Sequence, residues 1–177
     1  GKYLRPKREE RIFMFMDLYN STGIAEKLGH LTYSKFLQEC YELVTDVIIC
    51  HKASIYQYVG DEIVFTWRTE KGLLNNHCVE LYYDVKKLFE SNSIHFMKTY
   101  GVVPEFKAGL HLGIVTAVQV GVIKRELAYH GDVLNTSARL QKQCSQVNAS
   151  ILLSEDLKNK LDYDFIEKGS YFFKGKS

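Results

Sequence analysis

Two acidic side chains stand in otherwise apolar, strand-like sequence, and they are the strongest chemical signal in the chain. Asp17 lies in residues 15–18, and Asp61 lies in residues 59–63. Two carboxylates that converge repel each other unless divalent metal ions lie between them. The pair therefore indicates metal-assisted chemistry on a phosphate, in which paired metals hold the attacking and leaving oxygens. Taken alone, Asp17 would more simply cap a helix, and Asp61 would occupy a hairpin turn.

A second pair lies on a predicted helix. Asn135 and Arg139 are four residues apart, so they share one helix face. An Asn amide can hydrogen-bond a sugar oxygen, and an Arg guanidinium can hold charge that grows on a phosphoryl group. On spacing alone, a surface pair without function is the simpler interpretation. The apolar residues of the other face are Val133, Leu134, Ala138 and Val147.

Residues 17–23 have the composition of a strand end followed by a helix start. Asn20, Ser21 or Thr22 could cap that helix. Backbone N–H groups at a helix start have no helical partner, which suits a phosphate. As a phosphate site alone the signal is weak, because most helix starts bind nothing.

Two histidines and two lysines are weaker candidates. His111 lies in residues 108–113, whose glycines let another backbone approach, and we expect a structural role for it. His130 is interpreted as a loop residue at the border of the third helix. Lys174 and Lys176 follow aromatic residues near the end of the chain, where lysines are usually solvated.

Composition bounds the class of protein. With 177 residues, of which 46% are hydrophobic, a single globular domain is expected. The net charge of +2 is too small to argue for nucleic-acid binding. Residues 1–10 are basic and predict a linker, or simply a solvated N-terminus, before a domain that spans residues 11–177. No signal peptide and no apolar run of about 18 residues is present. The cysteines have no C-x-x-C spacing and predict reduced, packed thiols of an intracellular protein: Cys40, Cys50, Cys78 and Cys144.

The hydrophobic pattern alternates between strand and helix periodicity. Strands are predicted at residues 11–18, 55–58, 63–67, 106–115 and 116–123, and helices at residues 31–50, 74–89 and 131–147. The tail, residues 151–176, is expected to add a short strand, a short helix after Ser154 and another strand pair. The order β-α-β-β-α-β is that of a ferredoxin-like α+β fold, with a mixed but mostly antiparallel sheet.

The motifs match a known family. Over nearly its whole length the chain resembles the class III nucleotidyl cyclase catalytic domain, which adenylate and guanylate cyclases share. The segments similar to the family's motifs occur in the family's order: residues 15–22, Gly60-Asp61, residues 106–113, residues 131–140 and residues 173–176.

The resemblance implies a metal site beside a phosphate site. Asp17, Asp61 and Leu18 would bind two Mg²⁺ or Mn²⁺ ions, which activate the ribose 3′-hydroxyl and hold the triphosphate. Lys174, with Lys176 as second choice, would meet the terminal phosphates. Backbone N–H groups would cradle phosphate at Asn20, Ser21, Thr22 and Gly23.

The resemblance also implies a dimer. Asn135 would orient the ribose, and Arg139 would stabilise charge on the α-phosphate in the transition state. In this family the metal residues and the Asn/Arg pair come from opposite subunits. A head-to-tail homodimer with two shared sites, inactive as a monomer, is therefore expected.

Two positions depart from the family. Gln57 stands where adenylate cyclases typically have Lys, and Ala128 stands where they usually have Asp or Thr. Guanylate cyclases usually carry Glu and Cys at these positions. Gln57 can donate and accept, so it could face either purine, whereas Ala128 can read nothing by its side chain. The choice between ATP and GTP is therefore open, and ATP is favoured by family frequency alone.

Other functions stay open beside an adenylate cyclase. A guanylate cyclase is one, and a non-catalytic dimerisation or nucleotide-sensing module of the same fold is another, which the departures favour and the intact Asp pair disfavours. A diguanylate cyclase is a third, because residues 59–63 are similar to that family's Gly-Gly-Asp-Glu-Phe hairpin. Val59 breaks the double glycine, and that family lacks the Asn135 and Arg139 motif.

The resemblance also bears on the surroundings of the domain. We expect a cytoplasmic domain, because ATP, GTP and reduced thiols are found there, with an upstream sensor or membrane region possible in the parent protein. The chain ends at Ser177, where the family normally adds a strand, so we expect a weakened sheet edge or a mobile Lys174.

Overall fold

A computed structural model describes residues 5–121, 123–165 and 171–173 of the chain. Within them, seven strands form one sheet. The strands are β1 (Lys7–Leu18), β2 (Ser54–Val59), β3 (Glu62–Arg68), β4 (Phe106–Val120), β5 (Glu126–His130), β6 (Ile151–Ser154) and β7 (Tyr171–Phe173). The helices are α1 (Ser21–Leu28), α2 (His30–Cys50), α3 (Thr69–Leu73), α4 (His77–Ser91), α5 (Ser93–Tyr100), α6 (Asp132–Gln143) and α7 (Glu155–Lys160), with a 3₁₀ turn at Leu74–Asn76.

The core follows the predicted chain order of β1, α2, β2, β3, α4 and β4. Its four strands are antiparallel and lie in the order β2-β3-β1-β4. β6 adds parallel to β4, β7 adds parallel to β6, and β5 pairs antiparallel with the end of β4. The prediction of a ferredoxin-like α+β fold with a mixed, mostly antiparallel sheet is confirmed.

Helices cover both faces of the sheet. On one face α2 packs with α4 and buries a stripe with four-residue spacing, the pattern of an amphipathic helix. The buried residues of α2 are Phe36, Cys40, Val44 and Ile48. On the other face α6 lies over β1 and β4 above a smaller cluster. The buried members of that cluster are Phe13, Val64, Val115, Ala117, Tyr129 and Val133.

β4 is one strand, so the predicted break after residue 115 is wrong. It pairs with β1 without interruption from Leu18 back to Lys7, which also places the start of β1 four residues before the predicted residue 11. A Cβ atom at Gly113 would lie 3.1 Å from Val133 Cβ on α6. This glycine therefore accommodates the helix and leaves the strand unbroken. Gly121, with a φ of 93°, does follow the end of the strand.

Residues 126–130 form a strand where a loop was expected. They pair with β4 from Thr116 opposite His130 to Val120 opposite Glu126. His130 is therefore the last residue of β5, and its interpretation as a loop residue is wrong. The segment is too short to show strand periodicity by itself, so the pairing with β4 determines its structure.

Two helix boundaries differ from the prediction by three residues or more. α4 begins at His77, because Asn75 and Asn76 take left-handed conformations that interrupt the helix. α6 ends at Gln143, which leaves Val147 in the turn that follows. α5 was not predicted from the sequence. The short helix after Ser154 is present as α7, and the Ser154 hydroxyl accepts a hydrogen bond from the Leu157 N–H at 3.3 Å.

Three of the four thiols are packed as expected. Cys40, Cys78 and Cys144 are buried and unbridged, whereas Cys50 is exposed at the end of α2, so the prediction of a packed thiol is wrong there. In the described part of the chain, no helix has the length and apolar character needed to cross a membrane.

Candidate active site

Strand pairing brings the two predicted acidic residues together. Asp17 lies near the end of β1 and faces Glu62 at the start of β3. Asp61 lies in the tight turn just before Glu62, and its carbonyl oxygen accepts a hydrogen bond from the Leu18 N–H at 3.3 Å. The end of β1 and the β2–β3 hairpin therefore form one acidic site from two segments that are far apart in sequence.

The electrostatics of this site favour a proton or a cation on Asp17. Burial, a hydrogen bond with Asp61 and the negative charges of Asp61 and Glu62 raise the pKa of Asp17 from 3.8 to about 8. Burial and the charge of Asp61 also raise the pKa of Glu62. Among the described residues, Asp17 Oδ1 is buried and has no hydrogen-bond partner. A buried carboxylate oxygen without a partner is costly, so this atom is a candidate ligand for a cation.

The donor set fits a divalent metal ion. Carboxylate oxygens are the ligands that Mg²⁺ and Mn²⁺ prefer, and Mg²⁺ is usually held by one or two carboxylates together with substrate phosphates and water. Leu18 could contribute its backbone carbonyl alone, because its side chain has no donor atom. Among the described residues, no three His, Cys, Asp or Glu side chains come together as a complete metal site. The pair of Asp residues would therefore leave coordination positions for phosphate oxygens.

Two tyrosines of α2 face this site, and sequence reasoning missed them. The Tyr41 hydroxyl donates a hydrogen bond to the Gly60 carbonyl, in the turn that carries Asp61. Tyr33 has a side-chain hydrogen bond with Ser21, and burial together with the charges of Asp61 and Asp17 raises the pKa of Tyr33. Both residues occur at helical spacing within the predicted helix of residues 31–50, which is the ordinary pattern of a core-facing side chain. The available signal was the hydroxyl group of each tyrosine, which a purely apolar core position would not need.

The start of α1 lies next to the acidic site in sequence. Asn20 has a left-handed conformation, with a φ of 56°, and its side chain makes no capping bond, unlike the predicted cap. The first helical bond runs from the Ile24 N–H to the Asn20 carbonyl. A Cβ atom at Gly23 would lie 2.6 Å from Asn20 Oδ1, so a larger residue here would force the Asn20 side chain to move. The N–H groups of residues 21–23 have no carbonyl partner within the helix.

Gln57 and Ala128 meet in one groove, although they are 71 positions apart in the chain. β2 and β5 form its two walls, and its volume is about 690 Å³. Gln57 is exposed on β2 and presents an amide, whereas the side chain of Ala128 offers no polar atom. The structure thus brings together the two positions that the sequence singled out for base recognition.

Asn135 and Arg139 are exposed on the outer side of α6. The inner side of the helix approaches the sheet very closely, since a Cβ atom at Gly109 would lie 2.2 Å from the Gln141 backbone nitrogen. Of the predicted apolar face, Val133 is buried and Leu134 and Ala138 are half-buried, but Val147 is exposed beyond the helix. Within the described residues, Asn135 and Arg139 make no hydrogen bond or ion pair with the acidic site of their own chain.

The two histidines lie within the described residues, whereas the two lysines do not. His111 Nδ1 lies 2.6 Å from Ser154 Oγ, the capping hydroxyl of α7, so its contact with this cap has the structural character that was expected. His130 is exposed at the end of β5. Lys174 and Lys176 lie outside the described residues.

Comparisons with known proteins agree with this geometry. The family model described as "Adenylate and Guanylate cyclase catalytic domain" matches residues 5–177. The chain is 36% identical over 161 residues to "Adenylate cyclase 2" of Rhizobium meliloti (strain 1021), which covers 91% of this chain and 44% of that protein. It is 27% identical over 153 residues to "Adenylate cyclase 1" of the same organism, which covers 83% of this chain and 23% of that protein. The chain therefore spans less than half the length of these curated relatives.

Solved structures show the same fold. A bacterial light-regulated adenylyl cyclase superposes with a TM-score of 0.80 at 18% identity, over 90% of this chain and 47% of that chain. The guanylate cyclase domain of RhGC from Catenaria anguillulae, solved in complex with GTP, superposes with a TM-score of 0.71 at 17% identity, over 88% and 84% of the two chains. Because the family model matches almost the entire length of the chain, the chain belongs to the adenylate and guanylate cyclase catalytic domain family.

Proposed function

We propose that this protein converts ATP to 3′,5′-cyclic AMP and pyrophosphate at active sites shared between two copies of the chain. The observation that carries the proposal is the Asp17 and Asp61 pair in a chain of the cyclase family, because one buried oxygen of this pair lacks a partner within the described part of the chain. We further propose that the domain works in the cytoplasm, where ATP is found. An upstream sensor or membrane region in the parent protein would fit this role.

Asp17, Asp61 and the Leu18 carbonyl would hold two Mg²⁺ or Mn²⁺ ions. Bound divalent ions lower the pKa of the ribose 3′-hydroxyl and neutralise the triphosphate and the departing pyrophosphate. Asp17 must lose its proton for this role, since a neutral carboxyl group is a poor ligand. Glu62 would add negative charge beside the site and so strengthen its attraction for cations.

The start of α1 would hold phosphate oxygens. The N–H groups of Ser21, Thr22 and Gly23 have no helical partner, and the turn at Asn20 aims the helix start next to the acidic site. Gly23 leaves room here for the Asn20 side chain in its present position. Lys174 would meet the terminal phosphates from the tail of the chain, as the family resemblance implies.

Asn135 and Arg139 would act on the nucleotide bound to the partner's acidic site. Asn135 would orient the ribose, and Arg139 would stabilise charge on the α-phosphate in the transition state. Two observations support transfer between copies: both side chains are exposed, and neither pairs with the Asp residues of its own chain. A head-to-tail homodimer would place each pair against the other copy's acidic site.

Gln57 would contact the purine base in the groove between β2 and β5. Ala128 offers no side-chain hydrogen bond there, so Gln57 carries much of the discrimination. The name of the relative with 36% identity favours ATP. GTP is the second candidate, because the Gln57 amide both donates and accepts and can therefore pair with either base.

The test is product formation by purified protein over a range of concentrations, with ATP and GTP supplied separately and Mn²⁺ present. We expect cyclic AMP, a rate per chain that rises with protein concentration, and loss of product in Asp61→Ala. Cyclic GMP in place of cyclic AMP would overturn the assignment of the base. No product from either nucleotide at high concentration would overturn the enzymatic function and leave a nucleotide-sensing or dimerisation module.

A further inference from the structure

β2 contains a bulge at Tyr56. The pairing with β3 shifts between Ile55 and Gln57, so Tyr56 has no partner on the neighbouring strand. A bulge of this kind bends a strand and redirects the side chain of the extra residue. In this protein the redirected side chain points across the groove that Gln57 and Ala128 line.

Tyr56 reaches the opposite wall of the groove. Its hydroxyl accepts a hydrogen bond from the Tyr129 N–H at 3.1 Å. Its ring packs edge-on against the Tyr129 ring at 5.2 Å and against the Phe13 ring at 6.1 Å. Because the Tyr129 N–H points at Tyr56, it points away from β4, the strand that pairs with β5. The hydroxyl thus joins β2 to the free side of β5.

Tyr129 is held from a second side. The Arg11 guanidinium lies 4.9 Å from the centre of the Tyr129 ring, and Arg11 Nε donates to Thr66 Oγ1 at 2.9 Å. Thr66 Oγ1 in turn donates to the Ile12 carbonyl at 2.9 Å. These contacts fix the Tyr129 ring against the sheet, and the bond to Tyr56 is the hydrogen bond that joins this residue to β2.

The two positions of base recognition are the direct neighbours of this bond. Gln57 follows Tyr56 in β2, and Ala128 precedes Tyr129 in β5. The bond between Tyr56 and Tyr129 therefore sets the separation between Gln57 and the backbone of β5. In a groove where residue 128 contributes no polar side chain, this separation decides how well Gln57 can reach a base.

We propose that Tyr56 is a positioning residue for the nucleotide base: its hydroxyl holds β5 at the distance from β2 at which Gln57 discriminates between purines. The inference rests on the proposed function of the groove as the base site. Tyr56 acts through Gln57 and β5 and does not itself take part in the chemistry. Its loss should change nucleotide affinity and selectivity much more than turnover.

The experiment compares Tyr56→Phe with the matched control Tyr58→Phe. Tyr58 lies on the same strand, is 48% exposed, and its hydroxyl makes no hydrogen bond within the described residues. For Tyr56→Phe we expect KM for the preferred nucleotide to rise about three- to tenfold, with kcat within about twofold of wild type. The ratio of kcat/KM for ATP to that for GTP should move towards one. Tyr58→Phe should leave all of these values unchanged.

Two further measurements keep the inference separate from the enzymatic assignment. Hydrogen exchange at the Tyr129 amide should become faster in Tyr56→Phe and not in Tyr58→Phe. If wild type forms no cyclic nucleotide, calorimetric Kd values for ATP and GTP replace KM, and weaker binding to Tyr56→Phe alone still supports the inference. Equal KM or Kd values and equal selectivity in the two variants, or no nucleotide binding by wild type, would overturn it.

Discussion

The carboxyl groups of Asp17 and Asp61 share a hydrogen bond, and Asp17 Oδ1 is buried with no partner among the residues that the structure describes. Two carboxylates within hydrogen-bond reach of each other cannot both be ionised at low cost. Asp17 therefore keeps its proton at pH values well above the ordinary pKa of an Asp side chain. A divalent cation would take the place of that proton. Because a proton and a divalent metal ion compete for Asp17, the metal affinity of the site should depend on pH.

The first prediction concerns metal affinity and pH. Because Asp17 is protonated below about pH 8, Mn²⁺ must displace a proton there, and its apparent affinity should rise about tenfold per pH unit up to that point and then level off. Titration calorimetry over a series of pH values measures this slope. Asp17→Asn should bind Mn²⁺ weakly and without the slope. Wild-type affinity that is independent of pH would contradict the assignment of Asp17 as a metal ligand.

The second prediction concerns stability without metal. The unfolded chain loses the Asp17 proton near pH 3.8, whereas the folded protein keeps it until about pH 8. Between these values the folded state binds more protons, so the free energy of unfolding contributed by Asp17 decreases as the pH rises. Urea midpoints measured in a chelating buffer should show this decrease in wild type and a smaller one in Asp17→Asn. Equal slopes in the two proteins would show that Asp17 titrates normally.

The third prediction concerns the packing of α6. A Cβ atom at Gly109 would lie 2.2 Å from the Gln141 nitrogen and 2.3 Å from the Ser137 carbonyl oxygen, both backbone atoms that cannot move alone. Gly109→Ala should therefore lower the free energy of unfolding by about 2 kcal/mol or more. The matched change Gly113→Ala meets the Val133 side chain at 3.1 Å and should cost less than half as much. Urea denaturation of the two variants decides the order, and a larger loss at Gly113 would contradict it.

Much of the fold could be predicted because its signals are local. The stripe of apolar residues on α2 and the apolar runs of β1 and β3 depend on periodicity within one segment. β5 and the unbroken course of β4 depend instead on contacts between segments. Glu126–His130 becomes a strand because β4 and Tyr56 hold it, and Gly113 stays within a strand because α6 lies above it.

The same distinction applies to the candidate site. Asp17 and Asp61 could be chosen from sequence, because an acidic residue in an apolar strand is unusual wherever it occurs. Tyr41 and Tyr56 could not, since an aromatic residue at helix or strand spacing is the ordinary composition of a core. Their hydroxyl partners, the Gly60 carbonyl and the Tyr129 N–H, come from other segments. A role that consists of one contact between segments leaves no local pattern to detect.

The fourth prediction concerns Tyr41. Its hydroxyl donates to the Gly60 carbonyl, and Gly60 has a left-handed backbone with a φ of 60°, so the bond fixes the turn that aims Asp61. Tyr41→Phe keeps the ring contact with Tyr58 and should weaken Mn²⁺ binding about three- to tenfold, with little change in thermal stability. Calorimetry measures this change, and Tyr58→Phe is the control that should bind Mn²⁺ as wild type does. Unchanged affinity in Tyr41→Phe would show that the turn holds its shape without the bond.

The fifth prediction tests whether the sites are shared between two copies. Asp61→Ala and Arg139→Ala should each be inactive alone. When the two variants are mixed, a dimer with one chain of each kind has one intact site, which combines the native Asp61 of one copy with the native Arg139 of the other. Its second site lacks both residues. Random exchange makes half of the dimers mixed, each with one intact site of two, so about a quarter of wild-type activity should return.

The control for this experiment is a mixture of Asp61→Ala with Asp17→Ala. Both changes lie in the same half of the proposed site, and exchange of chains leaves every acidic pair incomplete. This mixture should therefore stay inactive. Equal inactivity in both mixtures, with dimers present and chains exchanging, would mean that Asp61 and Arg139 act within one chain. In that case Arg139 of each chain would act on the nucleotide held by Asp17 and Asp61 of the same chain.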